Sequence, residues 1–225
     1  MKCTLIIETS TERGIVALVK EDQVLFCCKL PLGLQSSHYL LPELDAAMRN
    51  VGISLSEVGL ICVGIGPGSY TGMRIGATVA KTLSYTLQIP LVGVCSLHSF
   101  VPEENGPYAV VIDAKIGGVY VQIGEMINGI AHYSKAPTVL PIPEASSYLS
   151  EIPVIITPNS AQLSQKFSGN YRWSESYPSP LQMSRLANDM FKTGEFSLDG
   201  RLELLYMRKT QAEINLENLS NITLD

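Results

Sequence analysis

The chain has 225 residues and a formal net charge of −5, with 16 lysines and arginines set against 21 acidic residues. An acidic chain without a Lys/Arg cluster excludes nucleic-acid binding driven by phosphate neutralisation alone, so any RNA would have to be held by another protein. Hydrophobic residues reach 46% and mean hydropathy is +0.18, enough for a sizeable core with apolar surface left for a partner, yet no run approaches the roughly 18 apolar residues of a membrane span.

The opening reads as three short strands, residues 2–9, 15–19 and 23–30, separated by turns at 10–14 and 20–22. Glu8 interrupts the first apolar run too early for a signal-peptide core, and a cytoplasmic chain is expected. Ser36 and Ser37 offer an N-cap for a helix over 38–50, which Gly52 stops. A strand over 60–65 leads through a glycine-rich turn into a helix over 71–87, and Leu91–Val94 follows as a strand. Strand meander, helix, strand, helix, strand is an α/β order.

The pattern then partly repeats. Residues 108–113 and 118–123 read as a strand pair, with 127–133 a third, Val154–Thr157 a later strand and Pro180–Thr193 a helix. Prolines at 137, 141, 143 and 153 mark 136–153 as irregular linker. Residues 1–100 are thus expected to form one lobe, 107–212 a smaller divergent lobe, and 213–225 a flexible polar tail.

The five cysteines form no C-x-x-C pair and read as buried thiols. His38, His98 and His132 show no helical pairing, so no histidine-based metal site is expected.

Chemistry concentrates at two places. Residues 66–76 read Gly-Pro-Gly-Ser-Tyr-Thr-Gly-Met-Arg-Ile-Gly between a strand and a helix. Backbone N–H groups at such a helix start can face an anion, but the same glycines can serve a close backbone approach. The spacing lacks the G-K-[ST] of a P-loop, does not match a dinucleotide fingerprint, and places Ser69 outside a hydrolase nucleophile elbow. Arg74 lies in the first helical turn, where the macrodipole disfavours a cation; it either meets a carboxylate or phosphate or bends into solvent. The acid Glu8 with the hydroxyls of Thr9, Ser10 and Thr11 at a strand-to-strand turn suits phosphate or hydrated metal, and equally a plain polar turn.

The helix over 71–87 carries two apolar stripes, Met73, Gly76, Ala80, Leu83 and Leu87 in one and Ile75, Val79 and Tyr85 in the other. One sheet needs only one. Gly72, Gly76 and Ala80 form a small-residue seam, and Leu40, Leu41, Leu44, Ala47 and Met48 make the preceding helix similarly broad. These two helices either pack only within the chain or form a dimer face.

Together these segments resemble the bacterial TsaB (YeaZ) family, of the TsaD/Kae/Gcp glycoprotease-like superfamily. The residues that carry the likeness are Ile-Glu-Thr-Ser-Thr at 7–11, Ser-His-Tyr-Leu-Leu-Pro at 37–42, the glycine signature at 66–76, Ile-Pro-Leu-Val-Gly-Val at 89–94, Asp-Ala-Lys-x-Gly-x-Val-Tyr at 113–120 and Leu-Tyr-Met-Arg at 205–208. Glu8 stands where the family has Asp, Lys115 where it has Arg, and Gly118 where it has Glu. Thr157, Pro158, Asn159 and Ser160 replace the usual glycine turn of the second lobe.

The resemblance implies an actin-like/Hsp70-like ATPase (RNase H-like) fold, two lobes with mixed sheets flanked by helices. It implies a non-catalytic scaffold that partners a TsaD-type paralogue and a TsaE-type P-loop ATPase in threonylcarbamoylation of the tRNA adenosine next to the anticodon. tRNA would be met only through that complex, with no membrane, and the chain alone would form a homodimer. The expected interface comprises His38, Leu41, Leu44, Met48, Met73, Arg74, Gly76, Ala77, Ala80 and Leu83. Thr9, Ser10, Ser69 and Arg74 are the nucleotide or anion candidates; no metal and no intrinsic cofactor are expected, with ATP or ADP left open at the partner interface. The rival readings are a glycoprotease-like metallohydrolase and a sugar- or acetate-kinase-like ATPase.

Overall fold

The computed structural model describes residues 2–31, 36–115 and 118–208; the expected tail at 213–225 lies outside them. The first sheet contains β1 (Cys3–Glu8), β2 (Ile15–Lys20), β3 (Gln23–Lys29), β4 (Val58–Gly64) and β5 (Leu91–Val94), in the order β3-β2-β1-β4-β5. Its first three strands are an antiparallel meander, and β1, β4 and β5 run parallel. β1 is buried at every residue, as a central strand covered on both faces must be.

The two faces have different covers. Leu5, Ile7, Val16, Leu18, Ile61 and Val63 face α1 (Ser36–Val51) and α2 (Tyr70–Leu87), represented by Leu40, Leu44, Met48 and Ala80. Ile6, Ala17, Cys62 and Val92 point the other way, toward Met183 and Ala187. Alternate residues of one strand thus serve two helical layers.

The second sheet repeats the design. It contains β6 (Gly106–Lys115), β7 (Gly118–Ile127), β8 (Ile130–Tyr133), β9 (Thr138–Pro141), β10 (Val154–Thr157) and β11 (Arg172–Glu175). The order is β11-β10-β6-β7-β8, with β9 also paired to β7. Again an antiparallel meander joins a parallel set, β6-β10-β11. Val111, Val121 and Ile155 pack on α3 (Ile142–Tyr148) and α4 (Ser160–Ser164) through Ala145, Leu149 and Leu163. The opposite face, with Tyr108, Val110 and Ile112, packs on Leu97 and Phe100.

Several expectations change. Residues 136–153 are not irregular linker: Pro141 ends β9, and Pro143 sits in the first turn of α3, where its missing N–H costs no helical bond. Ser36 and Ser37 lie inside α1 and do not precede it. The expected third strand of the second lobe starts at Ile130, because Asn128 and Gly129 form the left-handed turn between β7 and β8. Cys27 is exposed, while Cys3 and Cys62 are buried as expected.

A division near residues 96–107 separates the sheets but not the helices. Helix α5 (Pro180–Thr193) follows the second sheet in sequence, yet Met183 and Ala187 are fully buried against the first. The first sheet needs a cover on its second face, and among the described residues α5 supplies it. Among the described residues, no helix is long and apolar enough to cross a membrane.

Candidate partner interface

The two motifs singled out in the sequence are docked on each other. Ser69 N–H donates to Ser10 O (2.6 Å), and Thr9 Oγ1 donates to Gly72 O (2.7 Å). A Cβ at Gly68 would strike Ser10 O, one at Gly72 would strike Thr9 O, and one at Gly76 would strike Thr9 Oγ1. The signature therefore exists so that the β1–β2 turn can lie on the start of α2. Ser10 O thereby takes the Ser69 N–H, one of the donors that an anion at this helix start would use.

Two further N–H groups of the segment are also engaged. Ser69 Oγ caps α2 by accepting from Gly72 N–H (3.2 Å). Ser96 Oγ accepts from Gly66 N–H (3.0 Å), and Ser96 N–H returns a bond to Gly66 O (2.8 Å). The Gly66–Pro67 peptide bond is cis.

Glu8 is fully buried behind this turn. Its Oε1 accepts from Ser10 N–H (2.6 Å), while Oε2 has no hydrogen-bond partner. Burial pushes its carboxyl above the ordinary range, opposed by nearby Ser10 and Ser96. Thr9 and Ser10 are buried as well. Of the anion candidates only Ser69 and Arg74 are exposed, so Thr9 and Ser10 hold the fold together at this point.

The cleft between the sheets is spanned from the same turn. Arg13 Nε donates to Pro158 O (2.5 Å), Nη2 pairs with Glu175, and the guanidinium lies 4.6 Å from the Tyr177 ring centre. Glu175 Oε2 in turn accepts from Ser160 N–H and Oγ (2.8 Å each). Asp113, at the matching position of the second sheet, pairs with Lys115 and Lys166. Burial is the largest single effect and raises its carboxyl, but the two lysines and the Lys115 N–H together outweigh it and hold the carboxyl below the ordinary range.

The outer face of α1 and α2 is open by contrast. A groove of about 470 Å³ is lined by Ser37, Tyr70, Thr71, Arg74, Ile75, Thr78 and Val79. In its wall Tyr70 is 40% exposed, and elsewhere on the same two helices Tyr39 and Leu41 are each 48% exposed and Tyr85 67%. Arg74 stacks on Tyr70, its guanidinium carbon 3.9 Å from the ring centre, and its Nη2 donates to Tyr70 Oη. Its Nε donates to Tyr206 Oη (3.3 Å). Tyrosine and arginine at the edge of an apolar groove are the residue types that dominate protein–protein binding energy.

The expected interface residues divide over this face. His38, Leu41 and Arg74 are exposed and Leu83 is half-buried. Leu44, Met48, Met73, Gly76, Ala77 and Ala80 are buried within the chain, so they support the helices from beneath and offer no area to a partner. The small-residue seam is corrected in the same way: Gly72 and Gly76 admit Thr9, not a second helix. Tyr70 and Tyr206 fall within the 66–76 and 205–208 segments without an assigned role, and Arg13 falls within no motif. Tyr70 precedes Arg74 by one helical turn, a spacing that places both on one face; Tyr206 and Arg13 act across 132 and 162 residues, which no local pattern reports.

Comparison with known proteins follows the same lines. The chain matches the family described as TsaD, tRNA N6-adenosine threonylcarbamoyltransferase, over residues 34–144. It is 33% identical over 129 residues to the tRNA threonylcarbamoyladenosine biosynthesis protein TsaB of Bacillus subtilis, covering 56% of each chain. With TsaB of Escherichia coli it shares 32% over 142 residues, 60% of this chain and 61% of that one. The chain is similar to TsaB (YeaZ), of the TsaD/Kae/Gcp superfamily. The matches span somewhat over half the length of these TsaB relatives.

YeaZ of Pseudomonas aeruginosa superposes with a TM-score of 0.77 at 24% identity, over 92% of this chain and 100% of that one. At that identity the likeness to YeaZ concerns the fold, and it extends through the second sheet, beyond the stretch that TsaB sequences match. The actin-like α/β fold of two mixed sheets flanked by helices is thereby established for this chain.

Proposed function

We propose that this chain takes part in tRNA threonylcarbamoyladenosine biosynthesis as a non-catalytic, cytoplasmic partner subunit. It docks a TsaD-type paralogue on the outer face of α1 and α2, a TsaE-type P-loop ATPase joins the assembly, and tRNA is met through the complex. Without the partner, the same face pairs two copies of the chain. No cofactor resides in the isolated subunit, and ATP or ADP belongs to the interface with the partner.

One contrast carries this reading. The glycine turn, where phosphates would need to enter, is packed against Thr9 and Ser10, while α2 presents Tyr70 and Arg74 in the wall of an open groove and Tyr85 exposed further along the helix. The net charge of −5 supports a role for tRNA at second hand.

The test is co-expression with the TsaD-type paralogue, with solution mass measured alone and in mixture. A heterodimer is expected, and Thr78→Trp, which fills the groove from an exposed position, should weaken it at least roughly tenfold. Unchanged binding of that variant would remove the docking face. ATP turnover by the isolated chain would favour the kinase-like alternative, and metal-dependent peptide cleavage the glycoprotease-like one.

A further inference from the structure

The segment 202–208 runs across the boundary between the two sheets and is fixed on both sides. Leu202 packs into the first-sheet cluster, and Leu205 N–H donates to Ile65 O (2.9 Å). Beyond it, Met207 packs against the second-sheet cluster. Arg208 Nη1 donates to Ala114 O (3.0 Å) and Lys115 O (2.5 Å) at the end of β6.

Tyr206 lies between these anchors, with its ring centre 5.2 Å from that of Tyr70 and its hydroxyl accepting from Arg74. Arg74 is thus held by two phenols. Among the described residues Arg74 has no carboxylate partner, although eight other ion pairs do form. An exposed arginine is ordinarily mobile, and fixing one costs side-chain entropy that must be offset on binding. Here the two tyrosines fix it beforehand, and among the described residues several of its N–H groups meet no acceptor.

We propose that this C-terminal strap is part of the docking surface, Tyr206 and Tyr70 holding Arg74 so that its remaining N–H groups receive a carboxylate of the partner protein. The inference rests on the docking reading above. Charge complementarity selects the occupant: a cation with no counter-charge among the described residues stands at the rim of a groove whose walls include Ile75 and Val79. Such a site fits an acidic side chain beside apolar ones. Tyr206 is a positioning residue in this scheme, and Arg74 makes the contact. The guanidinium suits a carboxylate through paired N–H donors, and lysine lacks both that fork and the flat face that stacks on Tyr70.

The experiment measures affinity for the TsaD-type paralogue by calorimetry at about 50 and 300 mM salt, a range over which exposed charges become screened. Wild type is compared with Arg74→Ala, Arg74→Lys, Tyr206→Phe and Thr78→Trp, each checked for an unchanged unfolding midpoint. Arg74→Ala should weaken binding roughly tenfold or more and flatten its salt dependence, and Arg74→Lys should not rescue it. Tyr206→Phe, which keeps the ring and loses the bond to Arg74, should weaken binding roughly threefold to tenfold. If Thr78→Trp abolishes binding while the Arg74 and Tyr206 variants bind as wild type, the strap inference falls and the docking face stands. If Thr78→Trp also binds as wild type, the docking face itself falls. An Arg74 effect that appears only with ATP present would assign a phosphate and overturn the carboxylate.

Discussion

Helix α2 carries two polar constellations, one on each side, and they have opposite fates. On the inner side Glu8, Thr9 and Ser10 are buried against glycines, with hydrogen bonds of 2.6 and 2.7 Å closing the joint. On the outer side Tyr70, Arg74 and Tyr206 bond to one another in solvent beside an open groove. Small residues allow the first and large ones make the second. Glycine thus marks where this chain meets itself, and tyrosine with arginine where it has surface to offer.

The inner joint is where substitution costs most. Gly72→Val would drive a branched side chain into Thr9 O, a backbone atom that cannot rotate away. A loss of about 3 kcal/mol is expected from such overpacking, read as a fall in the urea midpoint. A loss below about 1 kcal/mol would mean that the turn is loosely seated and the contrast between the two sides of α2 is weaker than drawn.

Acid–base behaviour sharpens the comparison next. Burial raises the Glu8 carboxyl, so the folded chain holds this proton to higher pH than the unfolded chain does. Its contribution to stability is fully present below the unfolded value, about pH 4.3, and is lost as pH rises through the folded value. Glu8→Gln, a neutral group of the same shape, should unfold at a higher urea concentration than wild type at pH 8 and should lack that part of the pH dependence. Parallel profiles for the two proteins would show that Glu8 is ionised in the fold.

How much of this was legible in the sequence depends on range. The first three strands, both long helices and the turn between β4 and α2 follow from periodicity and glycine, because each signal lies within a few residues of its consequence. The small-residue seam correctly signalled a close approach, but helical spacing cannot say whether a sheet turn or a partner arrives there. Thr9 supplies the answer from 63 residues away. Proline misled at 141 and 143, since it begins a helix as readily as it breaks one. The return of α5 to the first sheet has no local sign either, because its apolar stripe would suit any sheet face lacking a cover. Arg13 is ordinary in its own neighbourhood, and Tyr206 stands in the 205–208 segment with nothing local to tie it to Arg74.

Arg13 tests whether the closed side extends across the cleft. Its side chain is 24% exposed and that of Glu175 34%, so solvent screens the pair and its worth stays near 1 kcal/mol. Arg13→Ala should lower stability by about that amount. Amide exchange should quicken around β10 and β11 while β1 and β4 stay protected, since the second sheet loses a tether and the first loses none of its core. Equal acceleration in both sheets would place Arg13 in the folding core and not at a link between lobes.

The smallest effect on stability belongs to the open side. Tyr85 is 67% exposed on α2, so Tyr85→Ser should change the unfolding midpoint by no more than about 0.5 kcal/mol. Its consequence should appear in association instead. If the docking face includes it, covering this large aromatic adds to association, and solution mass against concentration should show weaker self-association for the variant. A clear loss of folding stability would mean that Tyr85 braces α2 from outside, and the face would then be part of the fold as much as the joint at Thr9. Unchanged stability with reduced association would leave the two sides of one helix divided as their residues suggest, glycine for the fold and tyrosine for the partner.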